Sequence, residues 1–119
     1  MYKTLDPPAR KERKFYLGCT VVIGGAFGDE GKGKIISYLA LKDNPSIGVR
    51  GGVGPNAGHT VIAKGKTLKL RMLPSAVVNE KTQLLIGAGV LVDPEVFLRE
   101  VRETKSQTRA RVDKNCAVI

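Results

Sequence analysis

The sequence predicts an α/β fold with a mainly parallel central sheet, in which P-loop-like glycine loops lie at the ends of the strands. Two observations support this prediction. Several short apolar runs are each followed directly by glycines, a pattern typical of buried strands that end next to a ligand. Segments with helical spacing or helix-capping signals lie between or after these runs, as an α/β architecture requires.

The first structural unit combines a strand, a glycine loop and a helix. Residues 15–23 form a compact apolar, β-branched run, which predicts a buried strand ending at Gly24 and Gly25. A glycine-rich turn continues to Gly33. Apolar residues at helical spacing follow this turn: Ile35, Ile36, Leu39 and Ala40.

The middle of the chain predicts a second strand, a second glycine loop and a hairpin. Residues 46–49 form a short apolar run, and residues 50–58 contain glycines together with proline and asparagine. Residues 60–63 and 67–72 flank the turn sequence at 64–66, and apolar and polar side chains alternate in the second of them. This pattern predicts a β-hairpin with one solvated face.

The last third predicts a strand, a capped helix and a final strand. Gln83–Ile86 is interpreted as a buried strand, Asp93 as a helix N-cap, and Pro94 as the first helical residue. The buried stripe of this helix is predicted at Val96, Phe97 and Val101. Residues 116–119 predict an interior strand, and because domains seldom end in such a strand, we expect the chain to be the N-terminal portion of a longer protein.

The composition combines 14 glycines with a formal charge of +9. Basic residues concentrate in two segments, residues 1–14 and residues 99–111. The first segment is predicted to be a flexible tail that precedes a domain at residues 15–119. The second is interpreted as a solvated helix face. Such charge suits binders of nucleic acid, of membrane surfaces or of small polyanions. Nucleic acid is disfavoured, since the sequence lacks stacking aromatics and a reader motif. A membrane partner is disfavoured too, since no run approaches ~18 apolar residues.

The cysteines and the histidine do not form a metal-binding pattern. Cys19 and Cys116 are isolated thiols in apolar runs, and His59 is the only histidine of the chain. This spacing argues against a zinc site. We expect both thiols to be buried side chains in a reducing, cytoplasmic setting.

The first glycine loop (residues 24–34) has the properties of a phosphate-binding loop. Its backbone N–H groups and the start of the following helix favour an anion. Gly28, Gly33 and Lys34 satisfy the GxxxxGK pattern, but Ile35 replaces the hydroxyl residue that usually contacts Mg²⁺. Asp29 in this loop predicts either a bound metal or acid–base chemistry, because an unpaired carboxylate would repel a phosphate.

The second glycine loop (residues 50–60) supplies a polar and a titratable side chain. Asn56 can donate and accept hydrogen bonds, and His59 titrates near neutral pH. We therefore pair Asp29 as a candidate base with His59 as a candidate acid in a phosphoryl transfer.

Two strings in these loops resemble the adenylosuccinate synthetase family. They are GDEGKGK at residues 28–34 and NAGHT at residues 56–60. The resemblance covers roughly residues 21–119 and is closest to the shorter archaeal-type members. Phe27, where the family commonly has tryptophan, and Pro55 depart from the family pattern.

The resemblance implies a ligase that joins IMP and L-aspartate, with hydrolysis of GTP, through a 6-phosphoryl-IMP intermediate. It implies that Asp29 is the base and a Mg²⁺ ligand, that the carbonyl of Gly58 is a second Mg²⁺ ligand, and that His59 is the general acid. It further implies a cytoplasmic homodimer, in which later sequence supplies guanine and aspartate recognition, so that these residues alone would not turn over.

The resemblance also implies which residues contact each substrate. The implied contacts to GTP are Gly28, Asp29, Glu30, Gly31, Lys32, Gly33, Lys34, Gly58, His59 and Thr60. The implied contacts to IMP are Asp29, Glu30, Gly31, Lys32, Asn56, Ala57, Gly58 and His59.

Two alternatives stay open within the family. One is a non-catalytic nucleotide-binding fragment. The other is the viral-type 2-aminoadenylosuccinate synthetase, which acts on dGMP; Asp29 disfavours it, since the resemblance implies that those enzymes replace this aspartate.

Overall fold

The computed structural model describes residues 18–26, 30–52 and 54–119. The predicted tail at residues 1–14, the candidate residues Gly28 and Asp29, and Phe27 lie outside the described residues. The elements are α1 (Lys32–Asp43), β1 (Ile47–Arg50), β2 (His59–Ala63), β3 (Lys66–Leu70), a 3₁₀ turn (Ser75–Val78), β4 (Gln83–Ile86), β5 (Leu91–Val92), α2 (Pro94–Glu103), β6 (Ala110–Val112) and β7 (Ala117–Val118).

The largest sheet is parallel, as the sequence predicts. It has the strand order β1-β4-β6, with Ile47 opposite Gln83 and Leu84 opposite Ala110. β5 and β7 form a separate parallel pair. The predicted α/β class with parallel strands is therefore confirmed, and the second glycine loop begins at the carboxyl end of β1.

The predicted hairpin is confirmed as β2 and β3. These strands pair antiparallel, with His59 opposite Leu70 and Ala63 opposite Lys66. The turn residues Lys64 and Gly65 both have positive φ, 50° and 73°, as a two-residue turn between twisted strands requires.

The two predicted helices are also confirmed. α1 begins after Gly31, whose φ of 77° is a left-handed conformation that suits glycine. α2 begins at the predicted cap, because the Asp93 side chain accepts hydrogen bonds from the amides of Glu95 and Val96, each at 3.1 Å. Neither helix of the described residues is long and apolar enough to cross a membrane.

The core consists of two apolar clusters around the sheet and the hairpin. The larger cluster joins α1, the hairpin and the 3₁₀ turn through Ala40, Val61, Leu70, Leu73, Ala76, Val77, Leu84 and Val101. The smaller cluster joins β4 to α2 through Met72, Ile86, Val90, Val92 and Val96.

The predicted buried strand at residues 15–23 is wrong over its described part, residues 18–23. These residues form no strand, and Val21 and Ile23 are 73% and 82% exposed. The exposed Cys19 contradicts its predicted burial for the same reason. A strand needs a neighbouring backbone to bond, and no described strand pairs with this segment. Apolar composition alone therefore does not determine its structure.

The prediction for residues 116–119 is half right. A strand forms as β7, but it is not interior, since Val118 and Ile119 are 71% and 68% exposed. Its described partner is the two-residue strand β5, which covers one edge and neither face. Cys116 is partly buried, and its thiol donates to the carbonyl of Gly87 at 3.1 Å.

The interpretation of residues 99–111 as a solvated face is wrong at two charged positions. Glu100 is 1% exposed and Arg109 is 8% exposed. The Arg109 guanidinium donates to the carbonyls of Val77, Asn79 and Thr82 at 2.8–3.1 Å. A charged side chain can be buried when backbone groups satisfy it, which composition does not reveal.

Candidate active site

The two glycine loops meet where Gly33 lies against His59. A Cβ built on Gly33 would be 3.1 Å from the Cβ of His59 and 3.2 Å from the Oγ of Ser75. Gly33 is in the first turn of α1, and His59 is the first residue of β2. The start of α1, with its outward-pointing amide groups, is thus next to the candidate acid.

The hydrogen bonds of His59 define its tautomer. Nδ1 lies 3.3 Å from a terminal nitrogen of Arg50, and Nε2 lies 3.0 Å from the carbonyl oxygen of Leu73. A guanidinium can only donate and a carbonyl can only accept, so Nδ1 is the acceptor and Nε2 carries the proton. Both ring nitrogens therefore have internal partners.

Burial and the neighbouring positive charge favour the neutral form of this ring. Desolvation lowers the pKa of His59 most, and the positive charge of Arg50 lowers this pKa further. The backbone hydrogen bond to Leu73, the negative charge of Glu100 and the backbone of Ala57 act in the opposite direction, but the net pKa lies below its ordinary value. The surroundings of His59 therefore favour a neutral imidazole with its proton on Nε2.

Arg50 connects His59 to the second glycine loop. Its guanidinium also donates to the carbonyl of Gly54 at 3.1 Å and to that of Ala57 at 2.9 Å. Arg50 is 9% exposed, and desolvation lowers its pKa. One side chain thus holds the loop on both sides of Asn56.

The loop around Asn56 borders a small cleft of about 180 Å³. Pro55 is buried, and its carbonyl accepts from Nε of Arg71 at 2.9 Å. Asn56 and Ala57 are exposed at this cleft, whose other walls include Leu91 and Ile119. These positions leave the Asn56 side chain accessible to a ligand.

The described end of the first glycine loop is organised by an ion pair. The Lys32 ammonium pairs with Glu30, whose other oxygen accepts from the amide of Ala26 at 3.1 Å. The hydrogen bond from Lys32 lowers the pKa of the Glu30 carboxyl. Gly24 packs directly against this pair. Lys32 therefore already has a counter-charge, whereas Lys34 lies exposed on α1.

Sequence reasoning missed the buried Glu100. Its carboxylate accepts from the amides of Arg71, Met72 and Leu73 at 2.6–3.0 Å. It therefore fixes the segment whose Leu73 carbonyl holds His59. A signal was present, since position 100 lies four residues after Val96 and three after Phe97, on the apolar stripe of α2.

The predicted site residues are thus only partly assembled by the described structure. Gly33 and His59 are in contact, and Asn56 and Ala57 lie on the loop that Arg50 holds. Gly31 caps α1, while Gly58 and Thr60 flank His59 and are exposed.

Comparisons with known proteins agree with the motifs. The sequence model of the adenylosuccinate synthetase family matches residues 21–119. The adenylosuccinate synthetase of Archaeoglobus fulgidus is 57% identical over 103 residues, which is 87% of this chain and 31% of that protein. The enzyme of Methanocaldococcus jannaschii is 56% identical over 106 residues, which again cover 87% of this chain and 31% of that protein. The chain thus spans about a third of the length of these relatives.

Two solved structures share this fold. A fully ligated adenylosuccinate synthetase from Plasmodium falciparum superposes with a TM-score of 0.68 and 30% identity, over 77% of this chain and 22% of that one. A succinoaminodeoxyadenylate synthetase of cyanophage S-2L, bound to dGMP and dATP, superposes with a TM-score of 0.66 and 28% identity. The match covers 77% of this chain and 27% of the phage enzyme. Because the family model covers most of its residues, the chain belongs to the adenylosuccinate synthetase family.

Proposed function

We propose that this chain is the phosphate-binding portion of an enzyme that joins IMP and L-aspartate at the expense of GTP, through 6-phosphoryl-IMP. Family membership supports the reaction type. The observation that carries the proposal within the molecule is the contact between Gly33 and His59, since it joins the two loops that this chemistry needs.

The first glycine loop and the start of α1 would bind the GTP phosphates. The first-turn amides of a helix and its dipole favour an anion. Lys32 and Lys34 add positive charge, with Lys32 exchanging its partner Glu30 for a phosphate oxygen. Gly58, His59 and Thr60 would approach the same phosphates from β2.

Asp29 and the carbonyl of Gly58 would hold Mg²⁺. Carboxylate and carbonyl oxygens are the ligands that this ion prefers, and Gly58 is exposed next to His59, so the donor set fits the ion. When bound, Mg²⁺ neutralises charge on the phosphate oxygens. Asp29 would also remove the N1 proton of IMP, which makes the 6-oxygen a better nucleophile.

His59 would act on the 6-oxygen of IMP as a hydrogen-bond donor. Nε2 is bonded to the carbonyl of Leu73, so the ring must turn its proton from this carbonyl to the substrate. A neutral imidazole can stabilise a developing oxyanion. Asn56 and Ala57 would border the same nucleotide, with Glu30 and Gly31 completing its contacts.

IMP is favoured over dGMP as the substrate. Relatives at 56–57% identity are named adenylosuccinate synthetases, whereas the phage enzyme with dGMP is 28% identical. We further propose a cytoplasmic homodimer, as the family implies. Since the chain spans about 31% of its relatives, we expect it to bind GTP and Mg²⁺ alone and to need the remaining segments for turnover.

A complementation assay tests the proposal. Adenylosuccinate formation from IMP, aspartate and GTP is measured with this chain alone and together with the remaining segment of the Archaeoglobus fulgidus enzyme. We expect product only from the mixture, and a loss of at least about 100-fold with Asp29→Asn or His59→Asn. Product formation by the mixture that survives both substitutions would refute the assigned roles.

A further inference from the structure

The His59 ring is held by two buried charged residues that lie on different elements. Arg50 ends β1, and its backbone carbonyl accepts from the amide of Gly87 at 2.9 Å, which anchors it in the loop after β4. Its guanidinium reaches Nδ1 of His59. The donor on this side of the ring is therefore fixed to the central sheet.

The acceptor on the other side is fixed by α2. Glu100 receives the amides of Met72 and Leu73 on one oxygen, at 3.0 and 2.8 Å, and the amide of Arg71 on the other. Leu73 is fully buried, so its carbonyl has little freedom once its own amide is bound. Glu100 thus sets the direction of the carbonyl that accepts from Nε2.

We infer that Arg50 and Glu100 are positioning residues for His59, which together set its tautomer, with the proton on Nε2, in the orientation from which the ring turns toward the substrate. Arg50 acts directly on Nδ1, and Glu100 acts through the backbone of Leu73. The inference rests on the proposed function for its meaning in catalysis, but its geometry can be tested without a nucleotide.

The arrangement does more than stabilise the fold. A donor at Nδ1 and an acceptor at Nε2 disfavour the opposite tautomer, because that tautomer would place two donors face to face and leave the Leu73 carbonyl without a proton. Arg109 serves as a comparison for Arg50. It is about as buried as Arg50 and donates to three carbonyls, but its described hydrogen bonds do not include the His59 ring.

The test uses the single histidine of the chain. In the 119-residue chain labelled with ¹⁵N-histidine, the only imidazole signals come from His59. The couplings of each ring nitrogen to Hδ2 and Hε1 then distinguish Nε2 from Nδ1. At pH 8 we expect a protonated Nε2 and an unprotonated, hydrogen-bonded Nδ1. A proton found mainly on Nδ1 would overturn the inference.

Two substitutions separate positioning from stability. Arg50→Met should move the Nδ1 resonance to that of a nitrogen without a donor, and Glu100→Gln should accelerate exchange of the Nε2 proton by roughly threefold to tenfold, as expected for a weakened hydrogen bond. Arg109→Met, at a buried position, and Arg111→Met, at an exposed position, are the controls and should leave both signals in place. Ring signals unchanged in Arg50→Met and in Glu100→Gln, or moved equally by Arg109→Met, would overturn the inference.

The outcome is independent of the proposed function. The ring signals are measured in the absence of nucleotide, so a failure to bind GTP would refute the function and leave the tautomer result standing. If Arg50→Met does not fold, Glu100→Gln and the tautomer of the unsubstituted chain still decide the question.

Discussion

Gly33 packs directly on His59, so closely that a side chain at position 33 would have to displace its neighbours by a few tenths of an ångström. A Cβ at position 33 would lie 3.1 Å from the Cβ of His59. The lack of a side chain at position 33 lets the start of α1 approach β2 this closely without displacing His59 or Ser75. This contact brings the two glycine loops next to each other.

Gly33→Ala should therefore destabilise the chain. Overpacking costs about 1–3 kcal/mol, more than the about 0.5–1 kcal/mol that alanine gains over glycine inside a helix. We expect a net loss of about 1 kcal/mol in the free energy of unfolding, measured with urea. Gly18→Ala is the control, since nothing lies within 4 Å of that position. A stabilised Gly33→Ala would contradict the close packing.

Glu100→Gln should be among the most destabilising substitutions in α2. An amide cannot accept all three backbone hydrogen bonds, and leaving buried donors unsatisfied costs about 2–4 kcal/mol. The matched control is Glu103→Gln, which changes the same charge on an exposed position of the same helix. Equal unfolding midpoints for the two variants would be incompatible with a buried, hydrogen-bonded Glu100.

Arg109→Met should lower the free energy of unfolding by about 2–4 kcal/mol, because three carbonyls lose their donor. Arg111→Met removes the same charge from an exposed position and should stay within about 0.5 kcal/mol of the unsubstituted chain. Thermal unfolding of both variants measures the difference, and a tolerant position 109 would argue that it is solvated.

Stability should depend on pH through His59. Its pKa in the folded chain is lowered from the ordinary value of about 6.5. Between that value and the folded pKa, the unfolded chain binds more protons, so the free energy of unfolding falls as the pH falls through this window. The contribution of the neutral His59 to the free energy of unfolding is fully present above pH ~7. Urea unfolding at a series of pH values gives the free energy of unfolding of the chain and of His59→Asn. In this pH window the free energy should depend more steeply on pH in the unsubstituted chain, and an equal pH dependence would contradict a lowered pKa.

Local signals in the sequence predicted much of the fold. The Asp93 cap, the Lys64-Gly65 turn and the apolar run of β4 each depend on neighbouring residues, and all three are observed. Residues 18–23 have the same apolar character but no described strand partner, and they stay exposed. Strand formation depends on distant sequence, which a local pattern does not contain.

The sequence predicted the two loops of the candidate site, but it did not predict the buried side chains that hold His59 and the second loop in place. The resemblance identified His59 and Asn56, and the position of Asp29 remains a prediction. Arg50 and Glu100 were missed because their burial depends on backbone groups supplied by other elements. For Glu100, the sequence offered one signal of burial, which is a charged residue on the apolar stripe of a helix.

The most direct test of the account follows His59 while nucleotide is added. The ¹⁵N-histidine-labelled chain is titrated with GTP and Mg²⁺, first unsubstituted and then as Gly33→Ala. If the two glycine loops enclose one phosphate site, the His59 signals shift as GTP binds, and Gly33→Ala weakens binding by about tenfold or more, equivalent to about 1.4 kcal/mol. GTP binding that leaves the His59 signals unchanged, or no binding at millimolar GTP, would contradict the account.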